Sequence, residues 1–157
     1  MKLLGLFMIL IAAFAASQEY SKRVRKRLRE CECFLDFIRH LRIKLGCFMA
    51  SPAALGRGFP SCEIDGFVNT ISEKGIRAAY EDYERELSLS KDEQAILRGL
   101  FSSVGTGYLE DEVKRIDRAE EALLVEYNRF RERAAKDVKL VSALSATAAV
   151  GVFIIII

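Results

Sequence analysis

Cys31, Cys33, Cys47 and Cys62, together with the single histidine His40, are the residues whose types could ligate a metal or perform thiol chemistry. Cys33, His40 and Cys47 recur at intervals of seven, which on one helix separates successive side chains by about 10 Å, whereas zinc holds its ligands about 2.0–2.3 Å from one point. They cannot share an ion. Cys31 and Cys33 project about 200° apart on a helix, so they form neither a disulfide nor a clamp. Reduced thiols, buried or half-exposed, are the reading this spacing supports, and no cofactor or metal is expected. Gly56-x-Gly58 and Gly105-x-Gly107 are too short for a phosphate-cradling loop, and no Lys-Ser/Thr pair follows either of them. The carboxylates of Glu110–Glu112 and of Glu120 and Glu121 belong to charged helical faces, where solvation is the expected role. No histidine stands near a nucleophile signature, so no catalytic residue is assigned and an enzyme is not expected.

The elements that would position these residues are helices throughout. Val24, Leu28, Cys31, Leu35, Ile38, Leu41, Leu45 and Phe48 recur at spacings of three and four without an intervening proline, which predicts one long helix with a single apolar stripe. Ser51-Pro52 offers an N-cap and a proline at the first helical position of a new short helix, and Gly56–Pro60 reads as a loop. Ile64, Phe67, Val68 and Ile71 predict a helix stopped at Lys74-Gly75 by a left-handed glycine. Another helix is expected over Ile76–Leu87, with Tyr80, Tyr83 and Leu87 facing inward. Ser90-Lys91-Asp92-Glu93 fits a capping box that opens a helix through Ala95, Leu97, Leu100 and Phe101 and ends at Gly105-Thr106-Gly107. From Tyr108, a second long stripe of Val113, Ile116, Ala119, Leu123, Tyr127, Phe130, Ala134 and Val138 runs on without a breaker. The two long helices are expected to run antiparallel and pair their stripes. No alternating run argues for a strand.

The two ends differ from the middle. Of the 46 Asp, Glu, Lys and Arg residues, all but Lys2 fall between residues 18 and 139. The charge-free run Leu140–Ile157 would span about 27 Å as a helix, close to the thickness of a hydrocarbon core. It is read as a transmembrane helix, and the shorter run over residues 3–17 as another. Lys2 followed by an apolar stretch and Ala13-Phe14-Ala15 also has the profile of a cleaved signal peptide. Against cleavage, Lys22, Arg23, Arg25, Lys26, Arg27 and Arg29 follow at once, and such a cluster resists translocation. The same cluster, with Arg129, Arg131, Arg133, Lys136 and Lys139 before the second run, keeps residues 18–139 in the cytosol. The expected organisation is therefore an all-α, membrane-anchored bundle: a span over residues 3–17, a cytosolic domain of about five or six helices over 18–139, and a span over 140–157. Both termini would reach the opposite face of the membrane.

Charge is polarised along this plan. Residues 18–50 carry nine basic and four acidic residues, and residues 63–112 carry five basic and twelve acidic. The first group, above all Lys22, Arg23, Arg25, Lys26, Arg27 and Arg29, suits anionic lipid headgroups better than nucleic acid because of its position beside a span. The second, with Glu81, Asp82, Glu84 and Glu86, suits docking of a basic partner. Ala12 and Ala16, and Ala143, Thr147 and Gly151, fall four apart and would let helix backbones approach within the spans or between copies in a homo-oligomer.

Taken in order, these features resemble one family, the stage III sporulation protein AB family of endospore-forming bacteria. The residues that carry the resemblance are Met1-Lys2-Leu3-Leu4-Gly5, the basic start of a long helix bearing Leu35-x-x-Ile38-Arg39, and Ser51-Pro52-x-x-Leu55. They continue with the helix ending at Leu100-Phe101 before Gly105, and the entry through Lys139-Leu140 into an isoleucine-rich tail. The stretch Thr106-Gly107-Tyr108-Leu109-Glu110 departs from the family's pattern, in which an aspartate and a glutamine are expected. The resemblance implies a non-catalytic platform in the channel complex between mother cell and forespore, similar to the F-type platform of type II secretion. It also implies a place in the mother-cell membrane facing the forespore, and partners that include a cytosolic secretion-type ATPase and other stage III proteins. The alternative is a membrane-anchored regulatory or anionic-lipid-binding module outside sporulation.

Overall fold

The computed structural model describes residues 2–48, 54–105 and 107–156, and within the terminal runs only some of the side chains. The described residues form five α-helices: α1 (Lys2–Phe48), α2 (Asp65–Lys74), α3 (Ile76–Tyr83), α4 (Lys91–Ser103) and α5 (Leu109–Ile156). A 3-10 turn over Glu84–Glu86 follows α3, so the helix expected through Leu87 ends its α-helical part at Tyr83. Leu87 then takes an extended conformation and is buried as the chain turns toward α4. Ser51 and Pro52 lie outside the described residues, and residues 54–58 form a single turn. The chain divides into two compact units, residues 27–128 and residues 1–26 with 129–157.

In the larger unit, the apolar stripes became the core. Cys31, Leu35, Ile38, Leu41 and Leu45 of α1 are buried, as are Ile116, Leu123 and Tyr127 of α5. The two helices run antiparallel here: Arg39 Nε meets Glu120 Oε1 at 2.8 Å, Arg42 Nε meets Asp117 Oδ1 at 3.1 Å, and the Tyr127 hydroxyl donates to Glu32. Phe34 and Phe37 of α1, outside the single stripe read from the sequence, are also fully buried. They meet Phe67 of α2 and Phe101 of α4 at ring-centroid distances of 5.3–6.2 Å, and Tyr80 of α3 closes on Phe101 at 5.0 Å. The inner surface of α1 is therefore wide, because α2, α3 and α4 contribute to one side of it and α5 lies along another.

The punctuation between helices follows local chemistry. The Ser90 hydroxyl accepts from Glu93 N at 3.3 Å while Glu93 Oε2 accepts from Ser90 N at 2.7 Å, a complete capping box. Gly75 takes φ +80° with ψ 161°, a positive-φ extended conformation rather than the left-handed helical cap expected. The reason is space: its N–H still closes α2 on Ile71 O at 2.9 Å, yet its carbonyl must already receive Ala79 N at 3.0 Å as α3 begins at the next residue. Gly56 approaches α2 so closely that an added Cβ would stand 2.8 Å from the Val68 carbonyl oxygen. Backbone cannot swing aside as a side-chain tip can, so Gly56→Ala should lose about 1–3 kcal/mol in a urea titration; a change under a few tenths would contradict this packing.

The smaller unit is a helix pair. The Tyr20 hydroxyl donates to Asp137 Oδ2 at 3.5 Å, and Val24 and Ala134 are buried. Ile11, Phe14, Ala16, Leu140, Ala143 and Thr147 are exposed, and the side chain of Ala12 and the packing of Gly151 lie outside what is described. Among the described residues, no helix is long and apolar enough to cross a membrane.

Candidate functional site

The acidic residues singled out for docking lie on α3 and the 3-10 turn. Glu81 is bound by Arg77 Nε at 3.0 Å, Asp82 by Lys74 Nζ at 2.6 Å, and Glu84 by Arg98 Nη2 at 2.6 and 2.7 Å. Glu84 is half-buried and belongs to the α3–α4 contact, whereas Glu81, Asp82 and Glu86 are exposed. The pairings raise the pKa of Lys74 through its bond to Asp82 and that of Arg98 through its bonds to Glu84. Between α2 and α3, Gly66, Thr70, Lys74, Asp82, Tyr83 and Glu86 line a shallow cleft of about 260 Å³. Its floor is fixed by the Tyr83 hydroxyl, which donates to Glu63 O at 3.0 Å. The face is thus a set of carboxylates pre-positioned by cations of the same fold, with Glu86 at its rim.

The six basic residues of the α1 cluster divide between roles. Arg27 reaches inward: Nε and Nη2 each donate to a Glu93 oxygen at 3.0 Å, with the Glu93 side chain 1% exposed and that of Arg27 24% exposed. Arg29 pairs with Glu63 at 2.7 Å. Lys22, Arg23, Arg25 and Lys26 belong to the smaller unit and are exposed, with Arg23 near Glu19 at 3.6 Å. A helical reading could have found the inward turn of Arg27, because positions 27, 31 and 34 share one face with two core residues.

Cys31, Cys33 and Cys62 are free thiols. Cys31 is buried and Cys62 half-buried. The side chain of Cys47 lies outside the described residues. Burial, helped by the nearby Glu93 carboxylate, pushes the Cys31 thiol up to about 12. Burial also pushes Cys33 up to about 12, aided by a hydrogen bond with the Cys62 thiol, and its sulfur stands 4.0 Å from Glu63 Oε2. The approach of Cys33 to Cys62 was not readable in sequence, because it depends on where the loop before α2 returns to α1. Among the described residues, no three His, Cys, Asp or Glu side chains converge as metal ligands. His40 is wedged beside Phe37 and Phe59 with its Nε2 buried and without a hydrogen-bond partner among the described residues, and burial lowers its pKa, with Lys44 adding to the effect. A second cleft of about 330 Å³ opens nearby between the Gly56–Ser61 loop and Asp65, Asn69 and Ser72 of α2. Asp65 is occupied there by Ser61 and by Cys62 N, the bonds that hold its carboxyl below the usual range.

Among the described residues, burial keeps the Cys31 and Cys33 thiols protonated, His40 packs against aromatic rings, and Glu81, Asp82 and Glu84 are engaged in ion pairs on an all-helical fold. The family model for stage III sporulation protein AB matches residues 70–157, more than half of the chain, and the chain belongs to that family. No curated protein and no solved structure matches it. Membership gives the chain a role in sporulation, in a family that is not a known enzyme family.

Proposed function

We propose that the chain is a non-catalytic, membrane-anchored platform of the sporulation channel between mother cell and forespore. Its charge-free ends, residues 3–17 and 140–157, anchor it in the mother-cell membrane facing the forespore. Residues 18–139 face the cytosol, where the basic residues at both junctions would be retained. The acidic face on α3 and the 3-10 turn docks a basic surface of other stage III proteins, including a cytosolic secretion-type ATPase. The observation that carries this reading is the exposed acidic face of Glu81, Asp82 and Glu86, in which Asp82 and Glu86 line one cleft while Arg77 holds Glu81 and Lys74 holds Asp82. Such preorganised charge favours specificity and fast association over raw affinity. Family membership favours this over a regulatory or lipid-binding module outside sporulation.

A pull-down of the full chain from sporulating-cell membranes in mild detergent tests the docking face. Glu81→Lys, Asp82→Lys and Glu86→Lys together, with Glu84 kept for its role between helices, should reduce recovery of stage III partners at least about tenfold by juxtaposing like charges. Recovery equal to the unaltered chain, with helical content preserved, would remove this face from the interface.

A further inference from the structure

The smaller unit carries cations on both of its helices. Lys22, Arg23, Arg25 and Lys26 of α1 and Arg129, Arg131, Arg133, Lys136 and Lys139 of α5 are all exposed. The Tyr20–Asp137 hydrogen bond and the buried Val24 and Ala134 set an antiparallel pairing that brings residues 18–26 alongside 129–139. These two stretches hold nine cations against Glu19, Glu132 and Asp137, and Asp137 accepts from Tyr20. Lys22, Arg25 and Lys26 share one face of α1, and Arg129, Arg133 and Lys136 share one face of α5. Beyond them each helix enters its charge-free run, Leu3–Ser17 or Leu140–Ile157.

We propose that these two segments form one cationic collar that binds the phosphate headgroups of anionic lipids, with α5 contributing alongside α1. A single phosphate ion needs a concave nest of donors, whereas these charges are spread over two helices at the level where the apolar runs begin. That is the arrangement a sheet of headgroups complements. Each cation near such a surface strengthens attraction, and the effect fades beyond a Debye length. The proposal rests on the membrane-anchored reading above.

The test uses the full chain reconstituted in phosphatidylcholine vesicles, with trace spin-labelled phosphatidylglycerol or phosphatidylcholine reporting the lipid held at the protein. The unaltered chain should float with the vesicles and prefer phosphatidylglycerol about fivefold or more at low salt, with the preference shrinking in high salt. Excess inorganic phosphate should leave it intact. Arg131→Gln, Arg133→Gln, Lys136→Gln and Lys139→Gln together should lower the preference at least about threefold, as should Lys22→Gln, Arg23→Gln, Arg25→Gln and Lys26→Gln. Circular dichroism confirms that each variant keeps its helices. An α5 variant with undiminished preference, or abolition of the preference by inorganic phosphate, would overturn the collar. Flotation without any phosphatidylglycerol preference removes the collar and leaves the anchor standing; failure to float with phosphatidylcholine vesicles removes both.

Discussion

Glu93→Ala is expected to lower stability by about 2–4 kcal/mol, from loss of a charge-assisted bidentate pair together with a helix cap. Glu93 accepts two bonds from Arg27 at 3.0 Å and one from Ser90 N at 2.7 Å, so truncation takes the carboxylate from a largely buried guanidinium and frees an N–H at the start of α4. A surface ion pair would be worth no more than about 1 kcal/mol, and the burial of Glu93 is what separates the two cases. Glu93→Gln should fall between, since an amide can still accept from Ser90 N but cannot neutralise Arg27. Arg27→Met combined with Glu93→Leu should recover much of the loss, because an apolar pair of similar volume avoids desolvating two charges. Urea titration followed by helical circular dichroism measures all four forms. A loss below about 1 kcal/mol for Glu93→Ala would mean that Arg27 finds equivalent compensation elsewhere.

Phe67→Ala is expected to be at least as damaging, at about 3–5 kcal/mol, because it removes a buried ring and leaves a cavity that helices on several sides cannot all collapse into. Phe67 is fully buried and contacts Phe34, Phe37, Tyr80, Tyr83 and Phe101, so α1, α2, α3 and α4 all meet at this ring. In a thermal scan the change should appear as a fall in Tm of about 12–20 °C. Phe67→Leu, which refills most of the volume, should recover more than half of that. Equal stability of the alanine and leucine forms would contradict a close-packed aromatic centre. Together Phe67→Ala and Glu93→Ala should remove about 5–9 kcal/mol, a large part of the about 5–15 kcal/mol that holds a domain folded, so the double variant should be the least stable of the series.

The parts of this fold that sequence made legible are those written at short range. The α1 and α5 stripes follow from spacings of three and four, and the α4 start follows from Ser90 and Glu93 three residues apart. Longer-range placement was hidden. Helical position can turn Arg27 inward, yet it cannot name its partner Glu93, 66 residues away, or give Glu63 to Arg29. Phe34 and Phe37 fell outside the single stripe because one periodic face was assumed where the packed helices cover more than one side of α1. The acidic docking candidates stand out in sequence by charge alone; their division into exposed Glu81, Asp82 and Glu86 and half-buried Glu84 depends on where Arg98 of α4 comes to rest. Family membership, by contrast, was legible in sequence; the match to the family covers residues 70–157, which hold the Leu100-Phe101 helix end and the Lys139-Leu140 entry but not the features quoted before residue 70.

Three buried carboxylates give α4 an unusual suspension. At its start, Glu30 of α1 holds Ser88 N at 2.7 Å, beside the Arg27–Glu93 pair; past its end, Glu112 of α5 holds Gly105 N at 2.8 Å and Gly107 N at 3.1 Å. In mechanical language, α4 is a strut riveted at one end to the outgoing long helix and at the other to the returning one. Axial slip of either long helix past the other within residues 27–128 would have to shear those rivets or bow the strut. The pair is braced against sliding by something other than its own seam.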